Sequence, residues 1–309
     1  MKIKSAVFLV ESPMQLINAI EAKHYFSISE TFLLIRYDGI KSNDNHIDYV
    51  LNTIDNQFSR ISYIMLRYGK KSILKMLVPI VWCIRYNPEY LFIGNYFSGF
   101  SRIARLLYPN RKTIYLDDGA QTTKLYYDNK KINLFSYFSF DELFAGRIYK
   151  HHNFEYLKHR LRGKSQNVIK GTIFFIGTPL VENNLIEASQ YDKLLKSLLI
   201  HYKDYNIRYF PHRFEDLRKL RSIEGLNIET INMPFELYIL QCNTLPEKIV
   251  SFYSAALYTI NSMVGDVSEV EAFRIPESYF IDIHYADKIS KLYDYLSQTL
   301  TVIYDDKNL

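Results

Sequence analysis

Short apolar runs alternate with segments of helical spacing along both halves of the chain. In the first half, runs typical of buried strands cover residues 6–10, 32–35, 61–66, 90–93 and 113–116. Between them, apolar residues recur with helical spacing over residues 14–24, 72–85 and 100–107. Because strands that alternate with helices are typical of βαβ units, the first half predicts a parallel sheet.

The second half repeats this alternation. Its predicted strands cover residues 172–176, 207–210, 228–231, 249–252 and 279–283. Its predicted helices cover residues 186–202, 214–220, 234–241, 255–263 and 286–300. The sequence therefore predicts a second open α/β domain after the first.

A basic segment separates the two series. Residues 146–170 contain seven Lys or Arg and a single acid, Glu155. The segment is either a solvated helix with a linker or a basic patch that faces an acidic acceptor or anionic lipid. We place the domain boundary here and predict domains over residues 1–160 and 161–309, with the last helix a candidate to pack back onto the first domain.

The composition narrows the class of protein. The 309 residues are 48% hydrophobic and 23% charged, which is typical of a globular protein. The net charge is +5, but the sequence has no zinc-finger or RNP pattern, so we expect no nucleic-acid partner. Cys83 and Cys242 are too few for a disulfide framework or a zinc site. The apolar run before Glu11 is too short for a signal peptide, and the run at 76–84 is too short to cross a bilayer. We expect a cytoplasmic protein, with peripheral contact to the inner face of the membrane as an open alternative.

Two adjacent carboxylates follow the last predicted strand of the first domain. Asp117, Asp118 and Gly119 come where an open parallel sheet places its ligands. Since adjacent residues of an extended segment point to opposite sides, one carboxylate can act as a base while the other caps the next turn. Both could equally be ordinary loop residues. An adjacent pair without a histidine cluster is a weak signal for a metal, and we expect none.

A histidine ends a strand of the second domain. His212 follows Pro211 and precedes Arg213. An imidazole that faces a cleft between the domains could donate a hydrogen bond to a phosphate leaving group. The alternative is a surface histidine at the start of a helix.

Hydroxyl residues and a glycine follow two other strands of the second domain. Ser254, with Ser251 nearby, stands where a helix begins, so it either caps that helix or helps its free N–H groups bind a phosphate. Gly177, before Thr178, makes either a tight turn or a close approach to a ligand.

Three polar residues near predicted helix starts complete the candidates. Glu236, after Pro234, either complements a helix dipole or accepts hydrogen bonds from two ribose hydroxyls. Ser12 and Gln15 could reach a sugar, or Ser12 could cap the first helix.

In chain order, these motifs resemble those of bacterial sialyltransferases, specifically the lipooligosaccharide sialyltransferase and polysialyltransferase families. The segment 117–119 is similar to their acidic-acidic-glycine motif, His212 to the histidine of their histidine-proline motif, and Ser254 to their serine-rich motif. The segments 11–16 and 175–180 also resemble these families. Arg213 stands where they have proline, and Ala255 stands where they often have a second hydroxyl.

The resemblance implies a fold of two Rossmann-like domains facing a central cleft, the GT-B type. It implies transfer of sialic acid, or a related nonulosonic acid, from its CMP conjugate to a hydroxyl of a bacterial surface glycan such as lipooligosaccharide, O-antigen or capsule. The transfer would invert the anomeric centre and would require neither a metal nor a cofactor. Asp117 would be the general base and His212 would bind or protonate the leaving phosphate. The donor would also contact Gly177, Arg213, Glu236, Ser254 and Ala255, and the acceptor would contact Ser12, Gln15, Asp118 and Gly119.

Two alternatives stay open at this point. One is a GT-B glycosyltransferase that uses a nucleotide-diphosphate sugar. The other is a non-catalytic glycan-binding protein that has kept the fold.

Overall fold

The computed structural model describes residues 4–54, 58–65, 87–108, 112–119, 122, 125, 132–138, 149–163, 166–254 and 256–304. The chain forms two compact units. Unit 1 comprises Met1–Arg160 and Asn232–Leu237, and unit 2 comprises Leu161–Ile231 and Tyr238–Leu309. The predicted helix at 72–85, which includes Cys83, lies outside the described residues.

Unit 1 contains a parallel sheet. Its described strands are β1 (Ser5–Val10), β2 (Glu30–Tyr37), β3 (Arg60–Met65), β4 (Tyr90–Ile93), β5 (Lys112–Leu116), β6 (Leu134–Ser136) and β7 (Tyr149–His151). They are ordered β3-β2-β1-β4-β5-β6-β7, and every pair is parallel. The apolar runs of β1 and β4 are buried because these strands lie in the middle of the sheet, where helices cover both faces of a parallel sheet.

The described helices of unit 1 are α1 (Pro13–Tyr25), α2 (Lys41–Thr53), α3 (Gly99–Leu107) and α4 (Glu155–Leu161). Helix α1 begins at Pro13 because Ser12 caps it and proline suits the first helical position. Ser98 caps α3 in the same way, with its hydroxyl accepting from the Ser101 amide at 3.1 Å.

Unit 2 contains a second parallel sheet. Its described strands are β8 (Asn167–Ile176), β9 (Asn206–Phe210), β10 (Asn227–Ile228), β11 (Thr244–Ser251), β12 (Glu269–Phe273) and β13 (Thr301–Ile303). They are ordered β10-β9-β8-β11-β12-β13, again all parallel. The order reverses between β8 and β11, as it does between β1 and β4 in unit 1. Sheets of this kind bind ligands at the carboxyl ends of the strands beside such a reversal.

The described helices of unit 2 are α5 (Ala188–His201), α6 (Leu217–Leu220), α8 (Ala256–Val264) and α9 (Ile283–Leu296), with a 3-10 turn at Glu277–Tyr279. Helix α7 (Phe235–Gln241) begins in the segment grouped with unit 1. Helix α9 packs within unit 2, where the buried Tyr293 hydroxyl donates to the Phe252 carbonyl at 2.5 Å.

The strand predicted at 279–283 is wrong. Asp282 instead caps α9, its carboxylate accepting from the His284 amide at 2.9 Å, and the apolar Ile281 and Ile283 are exposed. On the side of β11 away from β8, the neighbouring strand is β12, which the sequence did not predict because its segment carries two glutamates. Glu271 is buried there because Tyr202 and Lys248 satisfy its carboxylate.

Among the residues that the structure describes, no helix is both long enough and apolar enough to cross a membrane.

Candidate active site

Asp117 is completely buried at the carboxyl end of β5. One of its oxygens accepts from the Ser136 hydroxyl at 2.8 Å and the other accepts from the Tyr137 amide at 2.6 Å. Both donors belong to the end of β6, so the carboxylate ties two strand ends together. Burial raises the pKa of Asp117 to about 7, against the lowering effect of these hydrogen bonds.

Asp118 is half-buried and differs from its neighbour. Its Oδ1 accepts from Gln15 Nε2 at 2.7 Å, and its amide donates to Thr122 at 2.9 Å. Burial raises its pKa to about 6, and the charge of Glu11 adds to the rise. Asp118 is therefore the partly exposed carboxylate of the pair, whereas Asp117 is buried with both oxygens hydrogen-bonded. Gly119, which follows, has φ of +59°, a left-handed conformation that favours glycine.

Gln15 holds Asp118 in place. Its Oε1 accepts from the Glu11 amide at 2.8 Å while its Nε2 donates to Asp118. A Cβ at Gly94, at the end of β4, would lie 2.2 Å from Gln15 Oε1, so the glycine is required by the path of this side chain. Ser12 caps α1 by accepting from the Gln15 amide at 3.3 Å. The acceptor contacts expected of Ser12 and Gln15 stay predictions.

An ion pair that sequence reasoning missed lies at the same sheet edge. Glu11, buried after β1, binds Arg36 of β2. Among the described residues, the second carboxylate oxygen of Glu11 and Nε of Arg36 are buried without a hydrogen-bond partner. The only signal in the sequence was that Glu11 and Arg36 each fall at the end of an apolar run.

His212 follows β9 in unit 2 and is half-buried. Its amide donates to Glu215 at 2.6 Å, and its Nδ1 accepts from the Phe214 amide at 3.3 Å. Burial, with help from the charge of Arg213, lowers the pKa of His212 to about 4. At neutral pH the ring is therefore uncharged and carries its proton on Nε2, since Nδ1 is an acceptor. Arg213 itself is exposed, with its guanidinium carbon 4.9 Å from the centre of the Phe214 ring.

Hydroxyl groups line the reversal point between β8 and β11. The Thr178 hydroxyl lies 3.3 Å from the Ser251 hydroxyl and donates to the Tyr253 carbonyl at 3.3 Å. The Ser251 hydroxyl donates to the Ile176 carbonyl at 2.8 Å. The Ser254 hydroxyl accepts from the Ala256 amide at 3.1 Å, so it caps α8. Because β8, β9 and β11 are parallel, these hydroxyls and His212 lie at the same edge of the sheet of unit 2. Ala255 lies outside the described residues.

Gly177 and Glu236 have environments that the sequence did not predict. A Cβ at Gly177 would lie 2.0 Å from Glu215 Oε2, so the glycine makes room for that carboxylate. Glu236 is in the first turn of α7, where burial raises its pKa. It is grouped with unit 1, whereas Gly177, His212 and Ser254 belong to unit 2. The ribose contact expected of Glu236 stays a prediction.

A cluster of possible cation ligands lies elsewhere in unit 1. The cluster consists of one possible ligand atom from each of three residues, Glu21, His152 and Glu155, and these atoms lie within 4.8 Å of one another. However, Glu21 accepts from the amide of Leu157 at 2.7 Å, and Glu155 accepts from the amide of Asn153 at 3.1 Å. His152 stacks on an aromatic ring, and burial lowers its pKa to about 3. Helix capping therefore accounts for the two carboxylates and ring packing for the imidazole, whose Nε2 is buried without a hydrogen-bond partner among the described residues.

The fold resembles that of solved sugar-nucleotide enzymes. A UDP-N-acetylglucosamine 2-epimerase shares 9% identity at a TM-score of 0.56, over 97% of this chain and 91% of that one. The UDP-GlcNAc 2-epimerase from Methanocaldococcus jannaschii shares 11% identity at a TM-score of 0.53, over 99% and 90%. MurG from Acinetobacter baumannii shares 11% identity at 0.49, over 99% and 87%.

At these low identities, the likeness shows the fold alone. The two epimerase structures and the two parallel sheets confirm the predicted fold class, an α/β chain with two Rossmann-like units of the GT-B type. No family model and no curated protein sequence matches the chain.

Proposed function

We propose that this protein is a glycosyltransferase that moves sialic acid, or a related nonulosonic acid, from its CMP conjugate to a hydroxyl of a bacterial surface glycan. The observation that carries the proposal is the set of uncharged hydrogen-bond donors at one sheet edge of unit 2. These donors are His212 Nε2–H and the hydroxyl hydrogen of Ser254, whose oxygen caps α8. The buried Thr178 hydroxyl lies beside them and donates to the Tyr253 carbonyl at 3.3 Å.

Such a set suits a nucleoside monophosphate. Hydrogen bonds and a helix N-terminus can bind one phosphate and stabilise it as a leaving group. The lowered pKa of His212 keeps its ring neutral, and a neutral imidazole can still donate a hydrogen bond from Nε2 to a phosphate. The motif resemblance and a fold shared with enzymes named for UDP-GlcNAc support a sugar nucleotide as the donor.

Unit 1 supplies the base in this proposal. Asp118 is partly exposed and has a pKa raised to about 6, so it can accept the proton of an acceptor hydroxyl near neutral pH. The resemblance implies Asp117 instead, but its two oxygens are occupied and no part of it is exposed. We therefore assign the base to Asp118 and a supporting role to Asp117. Attack of the hydroxyl oxygen on the anomeric carbon, as the phosphate leaves from the opposite side, would invert that centre.

The basic segment suggests where the reaction takes place. Arg160 and His159 are exposed on α4. We place the enzyme at the cytoplasmic face of the membrane, where anionic lipid would attract this segment. Cosedimentation with vesicles of phosphatidylglycerol, compared with phosphatidylcholine alone, tests this placement, and equal binding to both would refute it.

Ligand-dependent thermal stability tests the donor class. CMP should raise the Tm, whereas UDP and GDP should leave it unchanged. The expected size follows from mass action, since a ligand at about 100 times its Kd stabilises a folded protein by about 2.7 kcal/mol. Ser254→Ala should reduce the CMP effect. Ser98→Ala is the matched control, since Ser98 caps α3 at the same 3.1 Å distance, and it should keep the CMP effect. Stabilisation by UDP but not CMP would favour the diphosphate-sugar alternative.

A further inference from the structure

Glu215 is a buried carboxylate that binds three donors. Its Oε1 accepts from the Tyr191 hydroxyl at 2.6 Å and from the Tyr209 hydroxyl at 2.7 Å. Its Oε2 accepts from the amide of His212 at 2.6 Å. A buried carboxylate is costly unless it is fully hydrogen-bonded, and these contacts meet that condition.

The three contacts join separate elements of unit 2. Tyr191 lies on α5, Tyr209 lies on β9, and His212 lies in the turn after β9. Glu215 Oε2 also lies against Gly177, where a Cβ would come within 2.0 Å of it. The carboxylate therefore fixes the turn that carries His212 against the segment that follows β8.

The same turn fixes the orientation of the imidazole ring. While Glu215 holds the amide of His212, the Phe214 amide donates to Nδ1 of the ring. This second hydrogen bond leaves the ring proton on Nε2. If the turn loosens, both the direction of the ring and its tautomer lose their support.

We propose that Glu215, with Tyr191 and Tyr209, is a positioning residue that holds His212 in the tautomer and orientation used toward the donor phosphate. Its importance for turnover rests on the proposed function. The positioning itself can be measured without substrate.

The first test measures the His212 ring. In ¹⁵N NMR, wild-type His212, assigned by comparison with His212→Gln, should show a single Nε2–H tautomer. Glu215→Gln leaves the His212 amide, Tyr191 and Tyr209 with one carbonyl oxygen as acceptor in place of two carboxylate oxygens. The turn should therefore loosen, and the ¹⁵N chemical shifts of the two ring nitrogens should move toward the average of the two tautomers. Amide exchange at His212 should rise at least about tenfold, as expected for the loss of a hydrogen bond to a charged group.

Tyr209→Phe and Tyr202→Phe form a matched pair. Each removes a hydroxyl that donates to a buried carboxylate, and Tyr202 donates to Glu271 at 2.6 Å, a carboxylate that is not bonded to the His212 turn. Tyr209→Phe should loosen the His212 turn in the same direction as Glu215→Gln, and Tyr202→Phe should leave the His212 signals unchanged. Unchanged tautomer and exchange in both Glu215→Gln and Tyr209→Phe would overturn the proposal, as would an equal effect of Tyr202→Phe.

The second test measures turnover with a CMP-sugar. Glu215→Gln should lower kcat at least about tenfold with little change in the donor KM, since the His212 contact matters most as the phosphate departs. Tyr202→Phe should keep the wild-type kcat. An altered His212 tautomer with an unchanged kcat would limit Glu215 to a structural role. If wild-type protein turned over no CMP-sugar, the proposed function would fail, and the NMR result would still decide the positioning.

Discussion

At the scale of single residues, adjacent aspartates have opposite environments. Asp117 points back into unit 1 toward the end of β6, whereas Asp118 remains half-exposed beside Gln15. The sequence predicted that the two would have different jobs, because neighbouring side chains of an extended segment alternate. It could not say which carboxylate was buried, since that depends on Ser136 and Tyr137 of the next strand.

Asp118→Asn should lower kcat by about 10²–10⁴-fold while leaving the Tm nearly unchanged, because it removes the proposed base and keeps the hydrogen bond from Gln15. Asp117→Asn should instead mainly lower the Tm, since an amide cannot accept from both Ser136 and Tyr137. Steady-state kinetics and thermal unfolding of both variants check this assignment. A full loss of activity in stable Asp117→Asn, with an active Asp118→Asn, would return the base to Asp117.

The activity should rise with pH through about 6, because a base works only when it is deprotonated and burial raises the pKa of Asp118 to that value. Glu11→Gln should move the midpoint of this rise to lower pH, since a nearby negative charge that raises the pKa is removed. A pH profile of kcat/KM measures the shift. A midpoint that stays in place would show that Glu11 does not tune the base.

At the scale of elements, α1 packs so closely on β4 that only glycine fits at one position. Gly94→Ala should lower the free energy of unfolding by about 1–3 kcal/mol, because its Cβ would overlap Gln15. Activity should fall as well, since Gln15 would lose its contact with Asp118. Gly99→Ala is the control, because a Cβ there meets nothing within 4 Å. Denaturant unfolding of both variants checks the difference, and equal stabilities would contradict this packing.

The hydrophobic pattern predicted the central elements of both sheets well. The strands β1, β4 and β9 and the helices α1 and α5 lie within a few residues of their predicted bounds, because long apolar runs and helical spacing reflect burial directly. The short strands β6, β7 and β13 were missed, since each has only three residues. The segment 279–283 was mistaken for a strand because its apolar residues are nearly consecutive, although Ile281 and Ile283 are exposed on either side of Asp282, which caps α9.

The candidate site was only partly predictable. Motif order led to Asp117 as the expected base, with Asp118 beside it as an acceptor contact. It also led to His212, which follows a strand, and to Ser254, which caps a helix. Glu215 was missed because its hydrogen bond from Tyr191, 24 residues earlier in the chain, forms only in the fold. Gly177 was expected to approach a ligand, and the structure gives it a different neighbour, the Glu215 carboxylate.

At the scale of the whole molecule, the proposed chemistry is divided between the two units. Asp118 belongs to unit 1, and His212 and Ser254 belong to unit 2. Donor binding and acceptor activation should therefore be separable by mutation. Asp118→Asn should keep the CMP-induced rise in Tm yet transfer no sugar, whereas Ser254→Ala should lose much of that rise. Loss of the CMP effect in Asp118→Asn would contradict this division.

Turnover of a panel of sugar-nucleotide donors is the decisive test of the proposed CMP-sugar specificity. Purified protein would be incubated with CMP-sialic acid, CMP-legionaminic acid, CMP-pseudaminic acid, UDP-sugars and GDP-sugars, each with a set of glycan acceptors, and the products would be measured by mass spectrometry. We expect release of CMP and addition of the mass of one nonulosonic acid to an acceptor, and we expect both to be abolished in His212→Gln. Turnover of a UDP- or GDP-sugar, with every CMP-sugar left intact, would contradict it.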